Sequence, residues 1–223
     1  MNKTSILESL PELWQALLET AQMTALSFVI TLVFGTLVGV LLRLTDHDGL
    51  LPNQLFNKVF GAIVNVFRSL PFLILLIAVI PFTRLVVGTA YGPMAAVVPL
   101  SIGAIPFFGR VVESALREVS PGKIEAARVM GASTWQIVRK VLLPEAMSPF
   151  VAGATLTLVM LIGYSAMAGT IGGGGVGDFA IRYGYQRFNT PVLLVSVVVL
   201  VIVVQIIQSI GDAIVRGMAH KRD

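Results

Sequence analysis

Few side chains in this sequence could make or break a covalent bond. It has no cysteine, which removes disulfides, thiolate metal sites and a cysteine nucleophile. The two histidines, His47 and His220, fall in or near expected connections and share no metal-ligand spacing with other donors. Asp46 with Asp48 reads as a solvated loop rather than an acid–base pair, and no Ser–His–Asp set can be drawn. Gly172, Gly174 and Gly177 satisfy G-x-G-x-x-G, but they follow a long apolar run and not a strand opening a βαβ unit. A flexible or tightly packed turn is expected there. The phosphate cradle G-x-x-x-x-G-K-[ST] does not occur, so any ATP that drives this chain is bound by another polypeptide. No catalytic, cofactor-binding or metal site is expected, and what remains is mechanical and non-covalent chemistry.

The elements that carry such work must sit in lipid. Only 13% of the 223 residues are charged and 56% are hydrophobic, against about 25% charged in a soluble domain. A chain so poor in charge cannot cover a water-facing surface. The formal charge of +4 reflects lysine and arginine kept in connections. No basic stripe interleaved with aromatics suggests nucleic acid. The first residues carry Lys3, Glu8 and Glu12 and lack a compact apolar core before a small-residue cleavage site, so no cleavable signal peptide is expected.

Crossing the hydrocarbon takes about 20 apolar residues in a helix. Five stretches qualify or nearly do: residues 16–42, 55–80, 89–112, 150–171 and 191–214. They do not alternate as barrel strands would, so the fold class is an all-α integral membrane protein of about five transmembrane helices. One set of connections holds Arg43, Lys58, Arg110, Arg117, Lys123, Arg128, Arg139, Lys140, Arg216, Lys221 and Arg222; the other holds Lys3, Arg84, Arg182 and Arg187. The positive-inside rule places the first set in the cytoplasm, with the N-terminus outside and the C-terminus inside. The expected organisation is an extracytoplasmic segment 1–15, a transmembrane domain 16–217 and a cytoplasmic tail 218–223. Gly35 and Gly39 form a G-x-x-x-G pair that signals close helix packing without naming a partner. Pro71, Pro99 and Pro106 are expected to interrupt their helices, which marks spans two and three as the inner layer.

The longest polar connection, residues 113–147 between spans three and four, has helical grammar. Ser120 and Pro121 suit an N-cap followed by proline at the first helical position. Gly131 suits the helix-ending position, Ser133 with Gln136 forms a capping box, and Pro144 limits the second helix. Ile124, Ala127 and Met130 can share a face of the first helix, and Trp135, Val138, Val141 and Leu142 an apolar stripe of the second. On grammar alone this is either a connector resting on headgroups or a rigid knob offered to a cytoplasmic partner.

The residue pattern favours the knob. Glu125-Ala126-Ala127, three residues, Gly131, nine residues, then Val141-Leu142-Leu143-Pro144 resembles the EAA loop of ABC importer permeases, with Val141 in place of the usual isoleucine. The stretch Asn65-Val66-Phe67-Arg68-Ser69-Leu70-Pro71-Phe72 is similar to a second-span signature of amino-acid permeases of this class. Residues 163–169, 172–175 and 182–188 resemble the methionine-importer permease subfamily, and the likeness covers most of the chain from about Thr20 onward.

The resemblance implies a coupling helix that docks on an ATPase subunit, with Glu125, Ala126, Ala127, Gly131, Ala132, Leu143 and Pro144 as coupling residues. It also implies a homodimer, two ATPase subunits holding ATP and Mg, an extracytoplasmic binding protein and a place in the bacterial cytoplasmic membrane. Glu125 could cap a helix start or pair with a basic residue of the partner. Arg68, Pro71, Tyr164, Ser165 and Met167 are the candidates for the substrate path. An arginine inside a span is costly and faces a partner or cavity; for Arg68 a structural role, capping carbonyls freed by Pro71 or snorkelling, is weighed above contact with substrate. The alternatives are the same machinery carrying another small amino acid or osmolyte and, more distantly, a passive channel or membrane-embedded enzyme.

Overall fold

The computed structural model describes residues 9–219. Lys3, His220, Lys221 and Arg222, and most of the two expected terminal segments, lie outside the described residues. Every regular element among the described residues is helical: α1 Leu10–Thr45, α2 Gln54–Ser69, α3 Phe72–Ala78, α4 Ile80–Val87, α5 Pro93–Arg117, α6 Pro121–Val129, α7 Thr134–Ile137, α8 Leu143–Glu145, α9 Met147–Gly169, α10 Gly175–Phe179 and α11 Thr190–Ala219. Two π-helical stretches, Val138–Leu142 and Ala180–Tyr185, join α7 to α8 and prolong α10.

Helices α1, α5, α9 and α11 are long and apolar enough to cross a membrane. A fifth span exists if α2 and α3, bent by 102° at their break, are counted as one. The second span is interrupted at Pro71, as the proline leads one to expect. Pro71 disfavours helical backbone at Leu70 before it, and Pro71 itself is extended (φ −58°, ψ 129°). Pro99 and Pro106 behave differently from expectation: α5 runs through both without interruption. It is the most enclosed of the spanning helices, with 61% of its most apolar stretch buried against 11% for α11. Neighbouring helices hold a proline-containing span in place where isolated propensity would break it.

The chain divides into two compact units, one drawn from Met1–Val29, Leu70–Gly103 and Leu158–Ser209, the other from Ile30–Ser69, Ala104–Thr157 and Ile210–Asp223. In the second unit, Phe108, Val112, Leu116, Ile137, Val138 and Leu142 form the buried core. The G-x-x-x-G pair finds its partner here. A Cβ on Gly35 would stand 2.8 Å from Phe108 Cδ1, and one on Gly39 would stand 2.6 Å from the Gly109 carbonyl. Lipid tails are as apolar as leucine, so close van der Waals packing of this kind, more than transfer from water, holds membrane helices together. In the first unit Leu13, Ala16, Val176, Phe179 and Val192 bring α1, α10 and α11 together. The Phe72 ring fits against Gly103 there, where a Cβ would come within 3.3 Å of it.

Candidate functional site

The connection between α5 and α9 folds as a two-helix elbow closed almost entirely by its own sequence. Proline opens α6 after Ser120, whose side chain makes no capping bond. Gly131 ends the turn at φ +77°, with Cα geometry that a side chain would strain. Its N–H donates to the Arg128 carbonyl at 2.9 Å, and the Ala132 N–H donates to the Ala127 carbonyl at 3.1 Å. These two bonds form a Schellman closure and satisfy carbonyls a helix end leaves open. Ser133 then caps α7: its Oγ accepts from the Gln136 N–H at 3.3 Å, and Gln136 Oε1 accepts from the Ser133 N–H at 2.8 Å.

The second helix ends at Glu145, one residue beyond Pro144, with Ala146 as its cap. The backbone widens into a π turn over Val138–Leu142, the Leu143 N–H donates five residues back to the Val138 carbonyl, and α8 leads on toward α9. The wider turn relieves the clash between a proline ring and the carbonyl four residues earlier.

The elbow has two faces. Ile124, Ala127, Ala132, Val141 and Leu143 pack on the core of their unit. Met130 and Trp135 do not share the burial of the other residues on their stripes: Met130 is 87% exposed, Trp135 67% and Val129 84%. The glycine bend turns the last residue of α6 and the first turn of α7 away from the core, and Ile137 takes the buried place. Glu125, Ala126, Gly131 and Pro144 are exposed as well. Glu125 makes no hydrogen bond or ion pair with a described residue, so it caps no helix among the described residues. It borders a cavity of about 590 Å³ whose other walls include Arg43, Leu50, Ile124 and Arg128.

An ionic cluster around a buried carboxylate stands at the end of α5 that leads into the elbow, and sequence reasoning missed its centre. Glu113, 3% exposed, lies inside α5 and not in the connection where it was expected. One carboxylate oxygen accepts from Arg110 and the other from Arg117, each at 2.7 Å. Arg110 also donates to the Gly61 carbonyl of α2 at 2.9 Å, and Arg117 to Asp46 at 2.8 Å. The spacing of Glu113 three residues after one arginine and four before another was the available signal. Lys123 pairs with Glu145 at 2.6 Å across the elbow. The Asp46–His47–Asp48 loop brings three possible ligand atoms within 4.8 Å of one another, but Arg117 engages Asp46 and Arg43 engages Asp48. Burial tends to raise the Asp46 pKa; the His47 hydrogen bonds and the Arg117 charge outweigh it and hold the group below its ordinary value.

The path candidates are spread across the helices. The Tyr164 ring of α9 stacks on Phe72, centroids 4.0 Å apart and planes 6° from parallel. Ser165 is buried and its hydroxyl donates to the Ile162 carbonyl at 2.7 Å, so its one donor is used within α9. Met167 is 47% exposed. Pro71 is exposed at the break before α3, and Arg68 is exposed in the last turn of α2. The Arg68 guanidinium bonds to no described residue, so of its two structural roles, capping freed carbonyls or snorkelling, the first is not made among the described residues.

The glycine-rich turn is packed. Gly172, Gly174 and Gly175 all have positive φ. The Gly175 N–H donates to Glu19 Oε2 at 2.8 Å and the Val176 N–H to Thr20 Oγ1 at 2.9 Å, so α1 occupies the amides that a phosphate cradle would need free.

Residues 32–221 match the family described as binding-protein-dependent transport system inner membrane component. The chain belongs to this family. It is 53% identical over 203 residues to the "probable D-methionine transport system permease protein MetI" of Vibrio cholerae, covering 91% of this chain and 90% of the relative. It is 50% identical over 205 residues to the methionine import system permease protein MetP of Bacillus subtilis, covering 92% of each. Among solved structures, an inward-facing conformation of the MetNI methionine ABC transporter superposes with a TM-score of 0.92 at 49% identity, over 94% of this chain and 97% of that one. As a member of the family the chain is an inner-membrane, multi-pass transport subunit and not an enzyme.

Proposed function

We propose that this chain is the permease subunit of an ATP-driven methionine importer, carrying L-methionine, D-methionine or both. The observation that carries the reading is the elbow: a rigid, self-closed turn with an exposed apolar tip, braced by buried charge, on a chain that has no nucleotide cradle of its own. The names and near full-length similarity of the relatives supply the substrate class.

In this reading two copies form the route, two ATPase subunits bind ATP and Mg and receive one elbow each, and a soluble binding protein delivers methionine from outside. The charge distribution supports a cytoplasmic elbow, an outer N-terminus and a cytoplasmic C-terminus. Val129, Met130 and Trp135 fill an apolar groove of the ATPase, and Glu125 and Ala126 lie alongside. Gly131, Ala132, Ala127, Leu143 and Pro144 keep the elbow's shape. Movement of the docked elbow passes through the Lys123–Glu145 pair and the Glu113 brace to α5 and α2, because a buried, doubly paired carboxylate resists separation from its arginines. The spanning helices then alternate between outward and inward access. Arg68, Pro71 and Met167 are the path candidates that the chain's own packing leaves accessible; Tyr164 and Ser165 hold α9 in shape.

Uptake of labelled methionine into vesicles reconstituted with the permease, its ATPase and its binding protein tests this. Uptake requires all three and ATP. Transport without the ATPase, or stronger uptake of a different amino acid or an osmolyte, overturns it. Replacing Glu125 and Gly131 together leaves the permease in the membrane but detaches or uncouples the ATPase; full transport by that variant removes the docking role.

A further inference from the structure

Helix α11 is made mostly of valine, isoleucine and leucine, and it is the least enclosed of the four long spanning helices among the described residues. Its polar side chains are unevenly placed. In the half that begins at Thr190, Ser196 is buried and its hydroxyl donates to the Val192 carbonyl at 2.8 Å. Further along, Gln205, Gln208 and Ser209 recur at the spacing of one helix face. Gln205 and Ser209 are exposed and Gln208 is partly buried, and none of the three side chains hydrogen-bonds to a described residue. Over the three preceding turns the same face carries only Val201, Val198 and Leu194, all exposed.

Depth gives these amides their meaning. Gln205 lies about 22 Å along the axis from Thr190 at 1.5 Å per residue, inside a hydrocarbon layer about 30 Å thick. A carboxamide in hydrocarbon is costly unless water or another polar group receives it. Polar side chains at such depth face a bundle interior or a wet cavity. Tightly packed membrane helices bring small residues together, whereas this face carries glutamine, valine and leucine. It is apolar in its first half and polar in its second, which is the pattern of a wall wet at one end. The charge distribution sets that second half toward the cytoplasm. The MetNI relative on which the chain superposes is inward-facing.

We propose that Gln205, Gln208 and Ser209 line the cytoplasmic half of the methionine route. There the two carboxamides and the hydroxyl take the place of water around the ammonium and carboxylate of the passing amino acid, since a carboxamide both donates and accepts. This rests on the importer reading and adds to its route a stretch of α11 that the other path candidates do not include.

The chain has no cysteine, so single-cysteine variants need no further substitution. Gln205→Cys and Ser209→Cys are compared with Ile206→Cys and Ile210→Cys, whose isoleucines are exposed but lie off the polar face. Each is assembled with the ATPase in nanodiscs, where both membrane faces are open, and reacted with a charged methanethiosulfonate. Without nucleotide, Gln205→Cys and Ser209→Cys are expected to react about tenfold or more faster than the isoleucine variants, because a thiol ionises in water and not in hydrocarbon. Trapping with ATP and vanadate closes this half of the route, and the rate in Gln205→Cys is expected to fall about tenfold. Rates equal to those of the isoleucine variants overturn the proposal, since lipid or a helix then covers the face. Ready oxidation of either nucleotide-free variant to a disulfide between two copies also overturns it, because the stripe is then a seam and not a wall. Fast reaction that ATP and vanadate leave unchanged places the stripe in a crevice outside the route and overturns it too. The importer reading is checked apart, by ATP-dependent methionine uptake with the unaltered complex: uptake alongside unreactive cysteines sinks this proposal alone, and absence of uptake sinks both.

Discussion

The two connections that flank α9 use similar parts in different ways. Each has left-handed glycine and a π-helical stretch. The elbow before α9 closes on itself: the Gly131 and Ala132 amides reach three and five residues back, and Ser133 and Gln136 cap each other. The turn after α9 closes on distant sequence, with Gly175 and Val176 donating to Glu19 and Thr20, 156 residues away. A part that must keep its shape while a partner pulls on it is served by local bonds. A part that must hold helices of one unit together is served by bonds between helices.

The largest effect is expected where the elbow does depend on burial. Glu113→Ala leaves Arg110 without its carboxylate and Arg117 with Asp46 alone, and because solvent reaches both arginines it should cost about 3 kcal/mol, the low end for a broken buried pair, seen as a lower melting temperature in detergent and loss of ATP-dependent uptake. A melt within a degree of the unaltered protein would show that the brace does not support the elbow.

The glycines sharpen the contrast. A Cβ on Gly175, at φ +80°, would stand 2.6 Å from the Thr20 hydroxyl. Gly175→Ala therefore adds overpacking to left-handed strain and should cost about 2–4 kcal/mol. Gly131→Ala meets nothing within 4 Å, so only the conformational cost of about 1–2 kcal/mol remains. Equal losses in the two variants would erase the distinction between long-range and local closure.

Ser133→Ala should cost about 1 kcal/mol, read as faster hydrogen exchange at the Gln136 amide with exchange at Val176 unchanged. The smallest effect is acidic. The Asp46 pKa is held below its ordinary value when folded, so its contribution is complete above the unfolded carboxylate pKa and is lost as pH falls through the folded one. Asp46→Asn should abolish that part of the acid dependence, measured as melting temperature against pH, and only that part, since Arg117 is half exposed and solvent weakens the pair.

Much of this was legible in the sequence because its causes are local. Hydrocarbon thickness sets the least length of α1, α5, α9 and α11, and the paired G-x-x-x-G marks a close contact. Pro121, Gly131 and the Ser133–Gln136 box mark the elbow's turns, since capping bonds join residues a few positions apart. The resemblance to importer permeases rested on this stretch together with residues 65–72, 163–169, 172–175 and 182–188.

Other features were decided only by tertiary structure. Proline breaks the second span at Pro71 yet is carried through α5 at Pro99 and Pro106, because enclosure by neighbouring helices outweighs the local penalty in one helix and not in the other. Whether Trp135 and Met130 face in or out depends on the direction the chain leaves Gly131, which hydrophobic periodicity cannot register. The binding of the glycine-rich turn by Glu19 and Thr20 joins residues far apart in sequence, and no spacing rule reaches that far. Sequence determined which segments enter lipid and where they turn, since those depend on solvent and on neighbouring bonds. Only the folded chain decided which charges meet, which faces are left bare and which turns are held from afar.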